Sequence, residues 1–124
     1  MSDKRLLVID DDEPILRLIS GIGEACGMSV EATSVPKEFL KTLESSPPDV
    51  VVLDLVMPKF DGIEVLKRMS DQGLKSGIIL ISGADEDLLE RARKLAEAWG
   101  LAILAVFTKP LVPTDIEAVF RNLD

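Results

Sequence analysis

The sequence predicts an α/β protein: one parallel β-sheet with helices on both faces. Three observations carry this. Short apolar runs alternate with longer stretches whose apolar residues recur at helical spacing, giving five strands and five helices in strict alternation. Val50-Val51-Val52-Leu53 is an unbroken apolar run, the pattern of a strand covered on both faces. Strands separated by helices need crossover connections, which make the sheet parallel and put the helices on both its faces.

Taken in order, Arg5-Leu-Leu-Val-Ile9 reads as a strand that stops at Asp10-Asp11-Asp12-Glu13-Pro14. Pro14 suits the first turn of a helix, the acid before it can cap, and Ile15, Leu18, Ile19 and Ile22 mark one buried face running to about Cys26. Gly27 ends that helix, and Ser29 to Thr33 make a short, weakly apolar strand suited to a sheet edge. Pro36 opens a helix carrying Phe39, Leu40 and Leu43, closed by Ser45-Ser46-Pro47-Pro48. After the central strand, Met57-Pro58-Lys59-Phe60-Asp61-Gly62 forms a turn, followed by a helix with Ile63, Leu66 and Met69 inward and an exit bracketed by Gly73 and Gly77. Ile78-Ile79-Leu80-Ile81 is a second fully apolar strand, ending on Ser82-Gly83. Asp85-Glu86-Asp87 opens a helix whose stripe is Leu88, Ala92, Leu95 and Trp99, and Gly100 closes it. Leu101 to Phe107 is the last strand, ending on Thr108-Lys109-Pro110, and Ile116, Val119, Phe120 and Leu123 mark the final helix.

At 124 residues, 47% of them apolar, the chain suits one domain, residues 1–124. No apolar stretch approaches the length of a bilayer, and Met1 to Arg5 lead into a strand without a signal-peptide segment. A soluble, cytoplasmic protein is expected. The one cysteine, Cys26, falls at a helical position that favours burial. A net charge of −8 without a Lys/Arg cluster argues against direct nucleic-acid binding. No histidine is present, which removes the usual general base and the usual zinc ligand. The excess of carboxylates favours a hard cation such as Mg²⁺ or Ca²⁺.

A parallel sheet brings the carboxyl ends of its strands to one edge, where ligands of open α/β sheets bind. Here those ends carry Asp10 and Asp11, then Asp54, Ser82 and Lys109. Neighbouring carboxylates repel and raise one another's pKa unless cations hold them ionised. Mg²⁺ on Asp11, Asp54 and a water held by Asp10 supplies one cation, and Lys109 the other. An ionised Asp54 can then attack a phosphoryl group as nucleophile, with Lys109 neutralising the phosphoryl oxygens and Ser82 donating a hydrogen bond. Each element alone has a plainer reading: an acidic helix cap at 10–13, a turn at Ser82-Gly83, a solvated Lys109. Their convergence on one sheet edge favours the site.

Four motifs, Leu6-Leu-Val-Ile-Asp-Asp-Asp-Glu-Pro14, Val50-Val-Val-Leu-Asp-Leu-Val-Met-Pro-Lys-Phe-Asp-Gly62, Ile79-Leu-Ile-Ser-Gly83 and Thr108-Lys-Pro-Leu111, resemble the receiver domain of two-component response regulators over the whole chain. The resemblance implies a flavodoxin-like fold with strand order 2-1-3-4-5. It implies phosphorelay signalling in which Asp54 accepts a phosphoryl group from the phosphohistidine of a sensor kinase or phosphotransfer protein. The domain would catalyse its own phosphorylation and dephosphorylation, and would switch an interaction surface toward an output domain or a homodimer. It gives Mg²⁺ the ligands Asp10, Asp11, Asp54 and the Val56 carbonyl, makes Ser82 the moving hydroxyl, and makes Lys109-Pro110 a cis peptide. The family's aromatic switch position holds Val106 here, with Phe107 one place later on the opposite strand face, so the signal can instead run through the loop from Ser82 to Asp87 or through the surface of the fourth helix. The segment Gly100 to Leu111 is also similar to receivers attached to cyclic-di-GMP phosphodiesterase modules, in which case the chain is a piece of a longer regulator.

Two rivals follow. A haloacid dehalogenase-like phosphatase would use Asp10 and Asp12 as nucleophile and acid, with Ser82 and Lys109 on the phosphate, but needs late metal-binding acids where only Asp115, Glu117 and Asp124 occur. A receiver-like binding module independent of phosphorylation would leave the acid group, Ser82 and Lys109 idle.

Overall fold

The computed structural model describes residues 4–83 and 85–123. Met1, Ser2 and Asp3, Ala84 of the expected relay loop, and Asp124 of the late acids lie outside the described residues. Five strands, β1 Arg5–Ile9, β2 Ser29–Thr33, β3 Val50–Asp54, β4 Gly77–Ser82 and β5 Ala102–Thr108, form one sheet. They alternate with α1 Glu13–Ala25, α2 Pro36–Ser45, α3 Gly62–Asp71, α4 Glu86–Ala98 and α5 Pro113–Arg121. The strand order is 2-1-3-4-5 and every pairing is parallel, as expected for the flavodoxin-like fold. The order reverses between β1 and β3, which opens a crevice at their carboxyl ends.

Strand alternation fills both faces of the sheet. Leu6, Val8, Val50, Val52, Ile79 and Ile81 point to one side, where Leu16, Ile19, Ile116 and Phe120 of α1 and α5 cover them. On the other side, Leu7, Ile9, Val51, Leu53, Ile78 and Leu80 meet Phe39, Leu43, Leu66, Met69 and Leu89 of α2, α3 and α4. Each residue of β3 is buried, so its end is fixed from both faces.

The helix faces differ in detail from the sequence expectation. In α1 the buried line is Leu16, Ile19 and Gly23, with Ile15, Leu18 and Ile22 as half-buried flanks. The cause is Gly23, where a Cβ would stand 2.9 Å from Leu6 and Val30, so the helix axis comes closer to the sheet there than a side chain would allow. In α4 the same role falls to Ala92 and Ala96 with Leu89, while Leu88, Leu95 and Trp99 sit half-buried at the margin. Asp12 is the N-cap of α1 but its side chain makes no capping bond. Cys26 is half-buried at the α1/α5 margin rather than fully enclosed. Gly77, expected in the exit from α3, is instead the first residue of β4.

At the amino end of the sheet the polar groups are tied off. Arg5 donates from its guanidinium to the Ser46 and Pro47 carbonyls at 2.8 and 3.1 Å and from its N–H to Asp49 Oδ2 at 2.7 Å. The buried Ser76 hydroxyl donates to the Pro48 carbonyl at 2.6 Å. Among the described residues no helix is long and apolar enough to cross a membrane.

Candidate functional site

Five sequence-predicted residues meet at the carboxyl edge. β1 ends at Ile9 and β3 at Asp54, so Asp10 and Asp54 emerge side by side from neighbouring strands, and both are fully buried. Asp11 follows, exposed, and oxygens of Asp10, Asp11 and Asp54 lie within 4.8 Å of one another. Lys109, just past the end of β5, brings its ammonium to 3.2 Å from Asp10 Oδ1 and 3.4 Å from Asp54 Oδ2. The Lys109-Pro110 peptide is cis, as the resemblance implies.

The backbone supplies the remaining contacts. Asp54 Oδ1 accepts the Val56 N–H at 3.0 Å, and Asp10 Oδ1 accepts the Asp12 N–H at 2.9 Å. The acid run at 10–12 therefore turns back on itself around Asp10, and Asp12 takes the N-cap position of α1 without a side-chain capping bond. Val56 opens a two-residue hairpin, Val56–Met57 with Phe60–Asp61, whose turn places Lys59 at φ 59°. Asp61 then caps α3 through the Ile63 and Glu64 N–H groups. Directly after it, Gly62 packs so closely that a Cβ would lie 2.7 Å from Leu55 Cδ2. The loop that carries Val56 is thus anchored at both ends.

Burial pushes the Asp54 carboxyl up to about 6, opposed by the Val56 N–H and Lys109 and reinforced by the charge of Asp10. Lys109 is also raised: its partial burial works the other way, but the Asp10 and Asp54 carboxylates outweigh it. Asp10 Oδ2 stands 3.0 Å from the ammonium yet out of line for a hydrogen bond. It is the one buried side-chain polar atom without such a bond among the described residues. Three carboxylates, one ammonium and an unsatisfied buried oxygen suit a hard divalent cation with oxygen ligands.

Ser82, fully buried at the end of β4, has its hydroxyl turned to the Asp85 backbone, with both the N–H and the carbonyl at 3.4 Å. Nothing in the sequence signalled this tie, because Asp85 reads there only as the start of α4. Val106 packs on the α2/α3/α4 side and Phe107 on the α1/α5 side, the opposite faces expected. Asp12 is exposed and outside the acid group. Asp115 is exposed on α5, and Glu117 is paired with Arg121, so the phosphatase arrangement is not favoured.

Residues 6–121 match the response regulator receiver domain. The chain is 36% identical to the alkaline phosphatase synthesis transcriptional regulatory protein PhoP of Bacillus subtilis, over 94% of this chain and 46% of that protein. It is 33% identical to a protein-glutamate methylesterase/protein-glutamine glutaminase of Treponema denticola, over 89% of this chain and 29% of that one. Among solved structures, a response regulator from Colwellia psychrerythraea superposes with a TM-score of 0.82 at 37% identity, covering 96% of this chain and 94% of the other. The chain spans half or less of the length of these two curated relatives.

Proposed function

The chain belongs to the response regulator receiver domain family, and on that premise we propose that residues 1–124 are a cytoplasmic phosphoacceptor domain whose reactive group is Asp54. The phosphoryl donor is the phosphohistidine of a sensor kinase or phosphotransfer protein. An Asp54 oxygen attacks phosphorus, the P–N bond breaks, and the departing imidazole keeps the electron pair and takes up a proton. The observation that carries this reading is the convergence of Asp10, Asp11 and Asp54, with the Lys109 ammonium paired to the first and the last.

Mg²⁺ held by Asp10, Asp11, Asp54 and the Val56 carbonyl would keep Asp54 ionised and offset the charge of the phosphoryl oxygens. The chain's own groups do the rest. Asp54 is fully buried with the Lys109 ammonium 3.4 Å away, so the ammonium is placed to bond the incoming phosphoryl group once the donor reaches the carboxylate. The Ser82 hydroxyl has only two 3.4 Å contacts to give up, so it can leave Asp85 for a phosphoryl oxygen on Asp54. That exchange frees the loop before α4 and passes the state of the site to a protein-binding surface on an output domain, a target protein or a second copy. The contrasting output types among the relatives, a transcriptional regulator and a methylesterase, suit an input module that is joined to different effectors.

The test is incubation with Mg²⁺ and a small-molecule phosphoryl donor. One acid-stable, base-labile phosphoryl group per chain is expected, absent without Mg²⁺ and absent after Asp54→Asn. Phosphorylation that persists in Asp54→Asn would overturn the assignment.

A further inference from the structure

Lys109 reaches the carboxylates only if β5 runs in the correct register on β4, and the strand's own sequence does not set that register. Ile103-Leu104-Ala105-Val106-Phe107 is apolar at every position. A one-residue slip of such a run puts another apolar side chain in every place, so the hydrophobic pattern that normally sets register does not separate the two registers here. β5 is moreover an edge strand, held by β4 alone.

The pairing contains one irregularity. Ile78 is opposite Ile103 but Ile79 is opposite Ala105, so Leu104 is an extra residue, a β-bulge. Ile78 faces the α2/α3/α4 side, so a Cβ on Gly77 would point to the other side. Leu104 lies where it would go: that Cβ would stand 2.7, 3.0 and 3.3 Å from Leu104 Cδ1, Cγ and Cδ2. Glycine at 77 therefore leaves the space that the Leu104 side chain fills at the bulge.

Without the bulge, Leu104 would pair with Ile79 and Phe107 with Ser82, one step out of the observed register. Lys109 would then start about 3.3 Å further along, with its side chain turned to the other face. In the observed register Thr108 pairs with Ser82, the Lys109 N–H donates to the Ser82 carbonyl at 2.9 Å, and the side chain crosses to Asp10 and Asp54.

We propose that Gly77 and the bulged Leu104 form a register lock that positions Lys109 over Asp54 from the opposite end of β4. The lock rests on the functional reading above only in what Lys109 does, not in where it stands. Gly77 is a positioning residue, five residues and roughly 17 Å from Ser82 along the strand.

A cycle of Gly77→Val and deletion of Leu104 in the full chain tests it. Deleting Leu104 removes the extra residue, leaves a regular ladder and keeps Lys109 in place, so a side chain at 77 no longer has an opponent. The direct readout is the NMR through-space contact between the Gly83 α-protons and the Lys109 side chain, whose Cδ lies 3.6 Å from where a Gly83 Cβ would stand. Gly77→Val should lose this contact and slow phosphorylation about a hundredfold, as loss of one charge-stabilising donor does, with Mg²⁺ affinity held within about twofold. The deletion alone should keep the contact, and the double variant should regain both contact and rate. A mere loss of stability would not be rescued by shortening the strand. If Gly77→Val does not fold, Gly77→Ala runs the same cycle with a smaller loss. A contact that survives in the folded residue-77 variant, or a deletion that fails to restore it, overturns the lock. If Lys109→Ala, measured beside these, phosphorylates at the native rate, the role of Lys109 falls instead and the NMR contact alone decides the register.

Discussion

At the amino end of the sheet, Arg5, Asp49 and Ser76 are tied to the chain around them. At the carboxyl end, Asp10, Asp54 and Ser82 are fully buried, the two acids share the Lys109 ammonium, and one Asp10 oxygen and the Ser82 hydroxyl lack a close hydrogen bond. Both ends belong to one sheet and each buries polar side chains, Ser76 at the amino end and Asp10, Asp54 and Ser82 at the carboxyl end. The amino end resolves the cost by pairing, with Ser76 bonded at 2.6 Å. The carboxyl end leaves a carboxylate oxygen with an ion pair but no hydrogen bond, a carboxyl raised to about 6 and a hydroxyl held by two 3.4 Å contacts. The difference separates polar groups that hold the fold from polar groups kept available for a ligand.

The largest break in that comparison is Asp54→Asn. Phosphorylation should disappear while the fold gains stability, because a buried charge is replaced by a neutral group of the same shape. Mass spectrometry and thermal unfolding read the two effects on one sample. Loss of both activity and stability would mean that Asp54 is a structural group like Ser76.

Much of this contrast was legible in the chain. Runs such as Val50-Val51-Val52-Leu53 must be strands buried on both faces, and a carboxylate that ends such a run has nowhere to go but the rim. That alone puts Asp10, Asp54, Ser82 and Lys109 on one edge of the sheet. What stayed hidden depends on how closely the backbones approach one another. Gly23, Ala92 and Ala96 draw helices inward and rotate their buried faces by a residue, which apolar periodicity alone does not reveal. The bulge at Leu104 leaves no mark in a strand that is apolar throughout. The tie from Ser82 to the Asp85 backbone involves main-chain atoms, which every residue has.

The pH dependence of stability sharpens the comparison next. Asp54 rises from 3.8 to about 6 on folding, so between these values the folded state holds a proton that the unfolded state has lost. Stability contributed by this group is complete below the lower value and falls as pH rises through the upper one. A shift of this size corresponds to about 3 kcal/mol before solvent screening and to roughly 1–2 kcal/mol after it. Denaturant unfolding of the native chain minus that of Asp54→Asn isolates the slope. A difference that stays flat from pH 4 to 7 would place Asp54 with the satisfied groups. Added Mg²⁺ should stabilise the native chain more at pH 7 than at pH 4.5, since its ligands must be ionised.

Removing one acid tests the metal half of the contrast. Asp10→Asn and Asp11→Asn should each weaken Mg²⁺ binding about tenfold or more, close to 1.4 kcal/mol, by calorimetric titration. Asp12→Asn should leave it within about twofold, because Asp12 contributes its N–H and not its carboxylate. Equal losses at 11 and 12 would show that the site responds to net charge and not to the geometry of three ligands.

The smallest effect is expected at the amino end, and it is the one that makes the others interpretable. Ser76→Ala removes the hydroxyl that satisfies the buried Pro48 carbonyl, which costs about 1–2 kcal/mol because the acceptor is left dry and unpaired. The midpoint of unfolding should fall accordingly. The phosphorylation rate and Mg²⁺ affinity should not move, since Ser76 precedes β4 and only the strand itself connects it to Ser82. A drop in phosphorylation in proportion to the lost stability would mean that the rate reports how firmly the sheet is held and not how the carboxylates are arranged. The separation between the two ends would then fail. An unchanged rate in a measurably weaker protein would assign the reactivity to the acids at the carboxyl end and the Lys109 ammonium they share, and not to the rigidity of the fold.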